Sequence, residues 1–145
     1  MRDERSAPGR RALATAAAAA TVATAMLVLD LTWLGVVARG FYDAALGPLK
    51  RPDVHWPAAA LFYAMYVTAI LAYAVVGRHD RWTALRRGAG LGGVAYATYE
   101  LTNWAILRDW PVALVPVDIA WGVVLTAVAA LAGKRVYATV LASRG

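Results

Sequence analysis

With 145 residues the chain is one domain's worth, and at 61% hydrophobic residues it is too apolar for an ordinary soluble domain. It has no cysteine, which excludes disulfides, thiol nucleophiles and thiolate metal sites. The net charge of +6 raises the question of nucleic acid, but the basic residues are placed where membrane topology would put them.

Residues 1–11 are polar and basic and read as a flexible tail. Four apolar stretches follow, over about 12–38, 58–76, 88–107 and 112–131. Each is near the ~20 residues that cross a hydrocarbon core as helix. Strand-like alternation is absent, which argues against a barrel. The expected fold is all-α: a four-helix integral membrane bundle over residues 12–133 with antiparallel neighbours, followed by a cytoplasmic tail over 134–145.

The first stretch could pass for a signal peptide, since Arg10 and Arg11 precede an alanine run and Ala23-Thr24-Ala25 resembles a cleavage site. Apolar sequence continues to Ala38, so an uncleaved helix is expected. The loop Arg39–Trp56 is the longest connection and reads as an interfacial segment, with Pro57 opening the second helix. Gly77–Arg87 is short and basic. The third stretch opens on Gly88, Gly90, Gly92 and Gly93, small residues that allow close helix approach in lipid or contact with a second copy. Arg108-Asp109-Trp110 is a tight turn into the fourth stretch, with Trp110, like Trp56, expected at the outer interface where aromatic belts form. There Pro116 either bends a helix already under way, freeing the Val112 carbonyl, or starts the helix and leaves Asp118 in its first turn.

Arg2, Arg5, Arg10 and Arg11 in the tail, Arg78, Arg81, Arg86 and Arg87 in the second loop, and Lys134, Arg135 and Arg144 at the end would share one side of the membrane. Only Arg39, Lys50, Arg51 and Arg108 fall on the other. This bias orients both termini inward, and the positive charge then serves topology and anionic-lipid contact rather than nucleic acid.

Three acids interrupt the apolar stretches: Asp30, Glu100 and Asp118, each with a tryptophan three or four positions later (Trp33, Trp104, Trp121). A carboxylate in hydrocarbon costs several kcal/mol unless paired, protonated or facing water. At ~1.5 Å per residue, Asp30 lies about 12 Å inside Ala38, Glu100 about 10 Å inside Leu107 and Asp118 about 9 Å past Val112. All three are therefore expected at one level in the outer half of the bilayer. Tyr96, Glu100 and Asn103 share a face with Gly92, while Tyr63 and Tyr66 lie at the same depth on a stripe with Ile70 and Tyr73. Phenol and amide groups are suitable hydrogen-bond partners for buried carboxyls.

An outward-opening pocket follows, in which Asp30, Glu100 and Asp118 bind a proton or a small cationic ligand. Tyr63, Tyr66, Tyr96 and Asn103 orient them, and Trp33 and Trp121 supply aromatic faces. Three readings stay open. The chain is a proton- or cation-linked transport or binding protein, with a homodimer as its assembly; an enzyme on a lipid or isoprenoid, with the acids as general acid and base; or a non-catalytic accessory subunit whose acids meet a partner's polar residues. No catalytic residue is identified. No cofactor is expected, and with His55 and His79 in loops no metal site either. Serine triads, phosphate loops and dinucleotide fingerprints are absent.

Asp30-Leu31-Thr32-Trp33-Leu34-Gly35, Gly40-Phe41-Tyr42, the run from Ala95 through Tyr96, Thr98, Tyr99 and Glu100 to Asn103, and Asp118-Ile119-Ala120-Trp121-Gly122 carry a resemblance. Over about residues 25–133 the chain resembles the bacterial predicted-membrane-protein family known as domain of unknown function 2177. The family pattern leads one to expect Asp where this chain has Glu100; the swap keeps the charge and lengthens the reach, which tells against a rigid metal cage. The resemblance implies a small bacterial inner-membrane protein and supplies no catalytic residue.

Overall fold

The computed structural model describes residues 6–143, and every regular element among them is helical. Helix α1 (Ser6–Thr32) relaxes into a π-helical turn over Trp33–Val37. A short α2 (Arg39–Leu46) follows, then α3 (Trp56–Ile70) with its own π-turn at Leu71–Val75, α4 (Arg81–Ile106) and α5 (Leu114–Ala142). The outermost parts of the expected tails, with Arg2, Arg5 and Arg144, lie outside the described residues.

Among the described residues three helical segments are long and apolar enough to cross a membrane: Pro8–Val37, Trp56–Val75 and Leu114–Ala142. Helix α4, at 26 residues and about 39 Å, matches them in length, but three arginines, Glu100 and its glycines leave it less apolar.

Alanine, the strongest helix former, dominates the first half of α1. Its residues Ala14, Ala18, Val22 and Met26 are fully buried at intervals of four, one stripe facing the core. Helix α5 is the central element, packed along both α1 and α4. The approach to α4 is so close that a Cβ on Gly92 would sit 2.0 Å from the Gly122 carbonyl oxygen. The π-turn of α3 touches α4, whereas the rest of α3 diverges from it. Gly88 and Gly92 are therefore used inside the chain against α5, and that face is not open to a second copy.

Helix ends differ from expectation at several places. The third long helix begins at Arg81 rather than Gly88, because Asp80 caps it: the carboxylate accepts from the Thr83 amide at 2.8 Å. The last helix starts at Leu114 and continues to Ala142, through the segment expected as a tail. Pro116 lies in its first turn, where a missing N–H removes no bond, and the Val112 carbonyl accepts from the Val115 amide at 3.3 Å. No kink frees that carbonyl. The interfacial loop contains α2, whose Tyr42 packs with Ala38, Trp110, Leu114 and Val115 in a small second core.

Lys134, expected among exposed inner charges, is buried. Its ammonium donates to the carbonyls of Val75 at 3.0 Å and Gly77 at 2.7 Å. Arg87 donates to the Tyr73 carbonyl at 3.2 Å, and the His79 imidazole pairs with the Ala74 carbonyl at 2.9 Å. Side chains thus satisfy the carbonyls that the end of α3 leaves free.

Candidate functional site

Asp30 stands near the end of α1, half-buried, and ties three helices together. One carboxylate oxygen accepts from the Tyr63 hydroxyl of α3 at 2.8 Å, the other from the Trp121 indole of α5 at 3.1 Å. The Trp121 ring lies flat on Trp33, with centroids 4.5 Å apart and 7° between planes. Such a stack adds about 0.5–1.5 kcal/mol beyond its area. Trp33 opens the π-turn, and its indole donates to the Tyr42 hydroxyl at 3.3 Å.

Tyr42 in turn donates to an Asp118 carboxylate oxygen. Burial, reinforced by that carboxylate, raises the Tyr42 phenol above its ordinary value, so it stays a donor. Asp118 lies just past the first turn of α5, close enough to Glu100 on α4 for the two carboxyl groups to interact electrostatically. Glu100 is fully buried. One of its oxygens accepts from the Trp110 indole at 2.8 Å; the other, Oε1, is buried with no hydrogen-bond partner among the described residues.

The acids are thus divided two and one. Glu100 and Asp118 adjoin, and Asp30 stands apart, joined to them through Trp121, Trp33 and Tyr42. The remaining expected partners have varied placements. Tyr66 hydrogen-bonds Thr126 at 2.8 Å and no acid. Tyr96 lays its ring where a Cβ on Gly122 would be, within electrostatic reach of Asp30 and Asp118. Asn103 sits beside the Tyr99 hydroxyl rather than on Glu100. Trp104, the tryptophan following Glu100, faces outward at 49% exposure.

Two residues that sequence reasoning assigned to the interface belong to the cluster instead. Tyr42 reaches Asp118 because α2 folds back over the start of α5, and Trp110 reaches Glu100 because the turn after α4 tucks inward. Tyr42 lies within a stretch that carries the family resemblance, which was the available signal. Trp110 had none beyond its closeness in the chain.

Where α3 leaves α4, a crevice of about 380 Å³ opens between Phe62, Met65 and Tyr66 on one side and Ala95, Tyr96 and Tyr99 on the other. Asp118 forms part of its lining. Phe62, Met65 and Tyr99 are 40%, 63% and 57% exposed, so the mouth faces outward from the flank of the bundle. Among the described residues no group of three His, Asp or Glu side chains is placed to hold a metal ion.

The model of the predicted membrane protein family DUF2177 matches residues 15–135. The chain belongs to that family. The match to DUF2177 takes in all three acids, Tyr42, Trp110 and both walls of the crevice. No curated protein and no solved structure shows significant similarity to the chain.

Proposed function

We propose that this family member is a bacterial plasma-membrane protein of four crossings, with both termini cytoplasmic. In this reading Glu100 and Asp118 hold one proton in the outer half of the bilayer and exchange it for a small monovalent cation. The length of α4 and its packing along α5 support the fourth crossing, and the distribution of arginine and lysine supports the orientation.

One observation carries the proposed chemistry: Glu100 Oε1, buried and unpartnered, beside a second carboxyl group. Leaving such an acceptor unsatisfied costs about 1–3 kcal/mol. Two adjoining carboxylates also repel unless a proton or a cation lies between them. Tyr42 and Trp110 each occupy one oxygen of the pair, which leaves the other oxygens to share a proton or to bind a cation in its place. Asp30, with Tyr63 and Trp121, provides a second acidic station across the tryptophan stack.

Infrared difference spectroscopy on protein in lipid nanodiscs tests this directly. Adding ethylammonium at neutral pH is expected to remove one protonated-carboxyl C=O band, and Glu100→Gln and Asp118→Asn are each expected to abolish the change. A spectrum without such a band, or a change that persists in both variants, would refute the reading.

A further inference from the structure

The proposed exchange does not say how a cation reaches Asp118, and the crevice does. Its walls are aromatic and aliphatic and carry no charged side chain; the acid is Asp118. The mouth is on the flank of the bundle, among side chains that a membrane would cover. A hydrated inorganic ion would have to shed its water against Phe62 and Met65 to enter by this route. A molecule already dissolved in the bilayer would not.

We infer that the crevice between α3 and α4 admits a single-chain amphiphilic amine from the lipid phase, its ammonium group on Asp118 and its chain between Phe62, Met65 and Tyr99. This rests on the proton–cation exchange proposed above and names the class of cation. Charge complementarity selects the head group: an ammonium has three donors, Asp118 is an acceptor facing the crevice, and Glu100 Oε1 behind it is buried and unpartnered. Tyr66, Tyr96 and Tyr99 line the same crevice and make its walls aromatic around that charge. Volume selects the rest. About 380 Å³ holds the head group and the first part of a chain, while the remainder lies along the exposed side of Met65, a flexible side chain that adapts to it.

The probe is dodecylamine bearing a diazirine near the middle of its chain, irradiated with the full chain in nanodiscs and mapped by mass spectrometry. Labelling is expected on Met65, Phe62 and Tyr99, reduced at least tenfold by excess dodecylamine but not by dodecanol. Ala95→Phe, which fills the crevice, and Asp118→Asn should each reduce it at least tenfold; Met65→Trp is a second obstruction should Ala95→Phe fold poorly. Labelling spread evenly over lipid-facing residues such as Val28, or dodecanol competing as well as the amine, overturns the inference. If the ethylammonium-sensitive carboxyl band persists while the crevice is unlabelled, the lipid-phase route fails and the exchange stands. Loss of both overturns both.

Discussion

The contact between α4 and α5 makes a prediction in which two glycines one turn-half apart respond with opposite sign. A Cβ at Gly92 would lie 2.0 Å from the Gly122 carbonyl oxygen, 2.6 Å from the Thr126 hydroxyl and 2.7 Å from the Gly122 carbonyl carbon. Optimal non-bonded separation is ~3.5 Å or more, so Gly92→Ala must open about 1.5 Å between two helices whose main chains cannot rotate away. Overpacking of this kind costs about 1–3 kcal/mol, and the backbone obstruction here puts the value near the upper end. At Gly90 a Cβ meets nothing within 4 Å, so Gly90→Ala gains only the helix preference of alanine, about 0.5–1 kcal/mol. Reversible unfolding in mixed micelles with increasing dodecyl sulfate measures both. If Gly92→Ala lies within 0.5 kcal/mol of the unchanged protein, the helix approach described above is incorrect.

Two further outcomes are expected. Tyr42→Phe removes the donor to Asp118 and the acceptor for Trp33 while keeping the ring in its small core; the loss should be about 1–3 kcal/mol by the same unfolding assay, with a red shift in tryptophan emission as Trp33 loosens. The Asp80 cap has a definite pH response. Its hydrogen bonds to Thr83 hold the carboxyl below the ordinary aspartate value, so the stabilisation is present above that value and disappears as pH falls through the lowered folded one. The protection of the Thr83 amide, its exchange rate referred to the intrinsic rate at each pH, should fall across that acidic window in the unchanged protein and be low at every pH in Asp80→Ala.

Much of the helical character was legible because burying an acid is expensive and burying a leucine is not. Asp30, Glu100 and Asp118 stand out against apolar neighbours for that reason alone. Depth along a helix follows from counting residues; direction around the bundle does not. The same arithmetic therefore could not tell that Glu100 meets Asp118 while Asp30 turns to Tyr63 and Trp121. Tyr42 and Trp110 were misplaced because an aromatic in a connection has the composition of an interfacial belt whether it faces headgroups or folds inward. The start of α4 was missed because Arg81, Arg86 and Arg87 suit a loop as well as a helix extended beyond the apolar zone, and the deciding group is the single carboxylate of Asp80. Spacing puts Asn103 on one face with Glu100, yet its side chain sits beside the Tyr99 hydroxyl while Glu100 takes the Trp110 indole.

The clasp at the end of α3 has a mechanical consequence. Lys134 on α5 and Arg87 on α4 hold the Val75 and Tyr73 carbonyls at that end, Lys134 also takes the Gly77 carbonyl just beyond it and His79 the Ala74 carbonyl, while the opposite end is tethered by a long connection. Between the two ends, Tyr63 on Asp30 and Tyr66 on Thr126 hold the middle of the rod against α1 and α5. Phe62 and Met65 flank those tyrosines, so the width of the flank opening is set by the tilt of one helix, and widening it breaks these two bonds while the anchor at the tip holds.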